Sequence, residues 1–145
     1  MSKKAHKDLP LQEITLRKYE EPSSLENREI VKKFCLSLGL LQPGDSRDII
    51  VDLFLELVRA RKESKILEMN DFLELLKDKE GASPSNLRRQ LRRLKDLKLV
   101  EKLPQGYRIT ESGKIESVLD NYIIQFVVNP TIDRIRKYVR EIDRL

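Results

Sequence analysis

Arg88, Arg89, Arg92 and Arg93 recur as pairs four residues apart, Lys95 and Lys98 follow at once, and Asp96 is the single acid among these six cations. A solvated helix surface usually alternates acids with bases, because oppositely charged side chains at i and i+4 support one another. This stretch instead repels itself. Such crowding is readily understood when a polyanion lies opposite, and it concentrates the recognition chemistry of the chain in one place.

The elements that must position these arginines are legible around them. Ser83 is a good N-cap, and Pro84 fits the first helical position, where a missing N–H costs nothing and the fixed φ is already helical. Leu87, Leu91 and Leu94 follow at i, i+4 and i+7 and share a face. Rotating by about 100° per residue from that seam, Ser85, Arg89, Arg92, Arg93 and Asp96 point most nearly outward, with Asn86 and Arg88 on the flanks. A helix over 83–97 is predicted, apolar inside and cationic outside.

No reaction chemistry accompanies it. His6 is the only histidine, which removes histidine-based triads and histidine-rich metal sites, and the five glycines are isolated, so no phosphate-cradling loop exists. Cys35 stands alone and excludes an intramolecular disulfide and a cysteine-based zinc site; its apolar helical surroundings read as those of a buried structural thiol. We expect no enzyme, no catalytic residue, no metal and no cofactor.

The 145 residues suffice for one domain with appendages. With 39% hydrophobic and 37% charged residues the chain is expected to be soluble, ordered and helix-rich, and its net charge of +5 favours anionic partners. No apolar run approaches the ~20 residues that cross a bilayer, and the start of the chain lacks the apolar core of a signal peptide, so a cytoplasmic location without membrane is expected.

Along the chain, residues 1–24 read as a basic, extended arm carrying Lys3, Lys4, His6 and Lys7, with Leu9, Leu11, Ile14, Leu16 and Tyr19 at no clear period. A helix is predicted from Ser24-Leu25 to about Leu38, ended by Gly39 and a turn at Gln42-Pro43-Gly44-Asp45. Asp45 or Ser46 is expected to cap a broadly buried helix running to about Glu63. A short linker, 64–67, leads to a helix over 68–79 with Met69, Phe72, Leu73, Leu75 and Leu76 inward. After the arginine helix, Val100–Leu103 and Tyr107–Thr110 alternate apolar with polar, and Pro104-Gln105-Gly106 between them reads as the loop of a β-hairpin. Helical sequence over 114–128 is expected to be interrupted by Pro130. The last predicted helix, 131–145, carries Ile132, Ile135, Val139 and Ile142 at spacings of 3, 4 and 3, a heptad seam suited to homodimerisation, with packing back onto the domain as the other way to cover it.

The order helix, helix, arginine helix, hairpin over 46–113 resembles the winged helix-turn-helix superfamily. The resemblance rests on Ser83-Pro84-Ser85-Asn86-Leu87-Arg88-Arg89-Gln90-Leu91-Arg92-Arg93-Leu94, on Leu97-Lys98-Leu99-Val100, and on the exit Tyr107-Arg108-Ile109-Thr110-Glu111-Ser112-Gly113. The stretch Phe34 to Asp48 is similar to an uncharacterised winged-helix family encoded in archaea. The fold expected is mainly α with a small β-hairpin wing: a winged helix-turn-helix core with additional N- and C-terminal helices. The domain organisation expected is an arm over 1–24, a helical segment plus nucleic-acid-binding domain over 25–113, and C-terminal helices over 114–145.

The resemblance implies that Ser85, Asn86, Arg88, Arg89, Arg92 and Arg93 lie on a recognition helix, with Lys102, Gln105 and Arg108 on or beside the wing. On DNA, the arginines would reach guanine edges, while Ser85, Asn86 and wing residues held phosphates. The wing is short and poor in charge at its tip, which speaks against minor-groove insertion. The function expected is a dimeric DNA-binding transcription regulator. A ribosome-associated translation factor using the same helix and the arm of Lys3, Lys4 and Lys7 on ribosomal RNA or a ribosomal protein is the second class, and a protein–protein module working through the C-terminal helices is the third.

Overall fold

The computed structural model describes residues 7–145, so Lys3, Lys4 and His6 of the expected basic arm lie outside the described residues. The chain is mainly helical with one small antiparallel sheet. After a single 3-10 turn at Pro22–Ser24, helix α1 spans Asn27–Ser37 and helix α2 spans Ile49–Arg61. Helix α3 is short, Met69–Leu75, and α4, Pro84–Asp96, is the arginine helix. Strands β1 (Val100–Leu103) and β2 (Gly106–Ile109) form the hairpin, pairing Val100 with Ile109 and Leu103 with Gly106.

The paired apolar positions of α2 act as the sequence implies: Ile49, Ile50, Val51, Leu53, Phe54 and Leu57 are all buried, making α2 the centre of the core. Against it sit Cys35 and Leu36 of α1, Phe72 of α3, Leu87, Leu91 and Leu94 of α4, and Val100 and Ile109 of the hairpin. Phe34 and Phe54 stack with centroids 5.5 Å apart. The Arg28 guanidinium clamps the α2 carboxylate of Asp52 through Nε and Nη2 at 3.0 and 2.9 Å and also reaches Asp48 at 3.2 Å. Burial acts to raise the Asp52 pKa, but the paired Arg28 donors and nearby Lys79 outweigh it and hold the carboxyl below its usual range.

Several local expectations are corrected. The residue capping α2 is Asp48, not Asp45 or Ser46, and its side chain makes no cap hydrogen bond because it faces Arg28 instead. Leu75 lies half in solvent, since α3 ends there, too early for a further turn to cover it; a reciprocal Glu68–Asp71 capping box starts that helix. The 64–67 stretch is more than a linker: Leu67 forms an antiparallel bridge to Tyr107, exchanging N–H···O bonds of 2.9 and 2.7 Å. Gly106 belongs to β2 rather than to the loop, and its φ of +147° brings the backbone so close to the Leu67 carbonyl that a Cβ would sit 2.4 Å from it.

The described part of the arm is docked, not free. Arg17 donates from its backbone N–H to the Ser37 carbonyl, and from its guanidinium to the carbonyls of Leu36 and Leu41 and to Gln42. Gly39, at φ +73°, leaves the space that Thr15 occupies; a Cβ there would meet the Thr15 Cβ at 2.6 Å. Ile14 and Tyr19 pack on the core edge, and Lys33 Nζ lies 4.9 Å from the Tyr19 ring centroid.

The expected break at Pro130 is absent. Helix α5 (Ile115–Val118) continues through a π-helical stretch, Leu119–Val128, straight into α6 (Asn129–Asp143), with right-handed helical angles at both junctions. The wider turn explains this: the Asn129 N–H donates five residues back, to the Ile124 carbonyl, giving the proline ring the room that a four-residue ladder denies it. Val118, Ile123 and Val127 of this rod are buried, so its first half shares the core of the preceding elements, whereas no residue of α6 is buried.

Candidate nucleic-acid interface

Helix α4 begins where its sequence dictates. Ser83 Oγ accepts the Asn86 N–H at 3.3 Å, Pro84 occupies the first turn, and Leu87, Leu91 and Leu94 are each fully buried. With the seam fixed, the rotation of the cationic face is fixed too. Ser85, Arg88, Arg89 and Arg92 are exposed, whereas Asn86 and Arg93 are only half so.

The two half-exposed residues belong to a hydrogen-bond relay along the helix. Asn86 Nδ2 donates to the Gly81 carbonyl at 2.8 Å, and its Oδ1 accepts from Arg89 Nη2 and Gln90 Nε2, both at 3.2 Å. Arg93 then donates from Nη1 to the nearly buried Gln90 Oε1 at 2.9 Å and from Nη2 to the Gly39 carbonyl at 3.3 Å. Asn86 and Arg93 thus tie α4 to the turns before it and after α1. Arg93 is inward of the position that its angle on an ideal wheel implies, because the Gly39 carbonyl gives its long side chain a partner. Arg88 and Arg92 have no ion-pair or hydrogen-bond partner among the described residues.

The ion pairs among the described residues lie elsewhere: between α1 and α2, from the arm to α1, from the segment after α3 to α3 and α2, within α2, at the end of α6 and across the hairpin, but none on α4. Arg88, Arg89, Arg92 and Lys95 therefore form no ion pair among the described residues, and Asp96 is the single acid on their helix. An open groove of about 890 Å³ runs beside α4, lined by Ser85, Asn86, Arg89 and Arg93 together with Arg47 and the acids Asp45 and Glu80. Sequence reading passed over Arg47, which sits in a turn 42 residues before Arg89. The signal that could have found it is a cation in the loop that caps the neighbouring helix.

The hairpin residues do not join this face as one patch. The register pairs Lys102 with Tyr107 and Glu101 with Arg108, so Lys102 and Arg108 point to opposite sides of the ribbon. Arg108 Nε is held by Glu101 at 2.8 Å, and Lys102 Nζ lies 5.6 Å from the Tyr107 ring centroid. Burial tends to raise the Glu101 pKa, but the Glu111 backbone N–H and Arg108 overcome this and hold it down. Gln105, at the tip, is exposed, as is Lys7 near the start of the chain.

Cys35 is fully buried, and burial pushes its thiol up to about 12, in keeping with a structural role. Among the described residues no cluster of three histidine, cysteine, aspartate or glutamate side chains is placed to hold a metal ion, and no helix is long and apolar enough to cross a membrane. No family model matches the chain, and comparison with curated proteins and with solved structures found no match.

Proposed function

We propose that this protein is a non-enzymatic, cytoplasmic DNA-binding transcription regulator of winged-helix type that works as a homodimer and uses α4 as its recognition helix. The observation that carries the reading is the cationic face of α4: Arg88, Arg89 and Arg92 exposed in a row, no acid paired with any of them among the described residues, and the helix anchored by a leucine seam and the Asn86–Gln90–Arg93 relay. The guanidinium groups of Arg88 and Arg92, without a partner among the described residues, are suited to bidentate contact with phosphate or a guanine edge.

The bridge between Leu67 and Tyr107 supports the winged-helix part of the reading, since it fastens the hairpin beside the segment that precedes α3. Ser85 and Arg47 would hold backbone phosphates next to the groove. Lys102 and Gln105 would flank the duplex from the hairpin. Asn86 and Arg93 anchor α4, and Arg108 is paired with Glu101 within the hairpin.

The test is a mobility-shift titration over a salt series with Arg88→Glu combined with Arg92→Glu. A large loss of affinity and a shallower salt slope are expected; unchanged affinity in the folded variant would overturn the reading. Sequencing the nucleic acid that co-purifies with the native protein decides the ligand: DNA fragments support the regulator, and ribosomal RNA would put a ribosome-associated role in its place.

A further inference from the structure

The seam of α6 is an apolar stripe that the fold leaves uncovered. Ile132, Ile135, Val139 and Ile142 are 43%, 53%, 49% and 62% exposed, and Tyr138 beside them is 68% exposed. A seam this long would normally be buried against another element, yet the helix carries it away from the core that holds Val118, Ile123 and Val127.

We infer that the occupant is a second copy of this chain, seated parallel and in register along α6. Ile132 and Val139 take the a positions of a heptad and Ile135 and Ile142 the d positions, so the seam repeats at the spacing that a copy of itself matches. The charges agree. Asp133, Arg134, Lys137, Arg140, Glu141 and Arg144 all fall at b, c or f and stay in water, and Glu141 and Arg144 pair within the helix at 2.6 Å. Only Arg136 and Asp143 occupy flanking e positions.

In a parallel pair, Thr131 faces Arg136 of the second copy, and the Tyr138 hydroxyl faces the carboxylate of Asp143 of the second copy. No like charges meet. An antiparallel pair that covers the whole seam sets Ile132 against Ile142 and Ile135 against Val139, and brings Arg136 beside its own symmetry mate. The parallel arrangement places both α4 helices at the same end of the joined rods. β-Branched residues at a favour two strands when leucine stands at d, whereas isoleucine at both a and d shifts the preference to three or four, so the choice of two rests on the pairing of the flanking charges and both mass and orientation must be read.

This rests on the homodimer of the proposed function and on nothing about its ligand, and nucleic acid is left out of the test. Failure of the seam and failure of the arginine face are therefore separate results. Sedimentation equilibrium of the intact chain at tens of micromolar is expected to give the mass of two chains, and Ile135→Glu with Ile142→Glu the mass of one. Neither side chain is buried within one chain, so that variant keeps its core, which its circular dichroism and unfolding midpoint verify. Ile135→Cys is expected to form a disulfide-linked pair on mild oxidation, without interference from the buried Cys35. A monomeric or trimeric parent chain overturns the inference. So does an Ile135→Cys protein that cross-links only when mixed with Val139→Cys.

Discussion

Helices α4 and α6 have the same design written to opposite ends. Each is amphipathic with an aliphatic seam at helical spacing and a heavily charged remainder. In α4 the seam is fully buried and the charge is left open; in α6 no residue is buried and the seam itself is left open. The contrast teaches that an apolar stripe only states that something must cover it. The cover of α4 comes from its own chain, chiefly α2 and the hairpin, whereas the fold supplies none for α6.

Four experiments would break or sharpen this contrast. The largest effect is expected for Leu91→Ala, which empties a fully buried site and should cost about 2–5 kcal/mol of unfolding free energy, while Ile135→Ala at low concentration should stay within about 0.5 kcal/mol of the parent. Urea unfolding of the two variants side by side measures the difference. Similar losses for both would mean that the α6 seam is covered within one chain.

Next come the open cations. Replacing Arg88 or Arg92 by Ala should weaken nucleic-acid binding by about 1–3 kcal/mol where the arginine holds a base edge, or lower the salt slope by about 1 where it holds a phosphate. Arg93→Ala should instead loosen the docking of the last turn of α4 on the turn after α1, since its guanidinium is occupied by Gln90 and Gly39. Comparing binding with melting temperature for the two classes separates contact from positioning.

The Arg28–Asp52 clamp provides a pH test of the covered half. Because Asp52 titrates lower when folded than when unfolded, its stabilisation is present above about pH 4 and is lost as pH falls through the folded-state value. Asp52→Asn should cost about 1–3 kcal/mol at neutral pH and flatten the acid limb of a stability–pH curve. An unchanged acid limb would remove the clamp from the account. The smallest effect belongs to Ser83→Ala, which forfeits one cap and should cost about 1 kcal/mol, read by thermal unfolding.

Much of the fold was legible because local rules governed it. Ser83, Pro84 and the leucines at 87, 91 and 94 fix one helix by capping and periodicity alone, and the paired apolar residues from Ile49 to Val58 fix another. What escaped depended on partners distant in sequence. Leu67 reads as linker until Tyr107 is beside it, and Arg17 is one cation in an aperiodic arm until the carbonyls ending α1 collect around it. Pro130 was misread because a proline rule that holds for a four-residue hydrogen-bond ladder is relaxed by a π turn. Of the candidate interface, the row of exposed arginines was visible from the start. The relay that withdraws Asn86 and Arg93 from it was not, because it depends on where the Gly39 and Gly81 carbonyls lie.

The unbroken passage through Pro130 makes the rod a gauge of phase as well as of distance. Val127 is buried, Val128 beside it packs against the core, and Ile132 opens the exposed seam, with the helix continuous between them. One residue inserted there would turn the seam by about 100° about the helix axis relative to the arginine face, and seven would return it nearly to its starting angle about 10 Å farther out. The number of residues between those two side chains therefore encodes how a pair of these molecules would be pitched against each other.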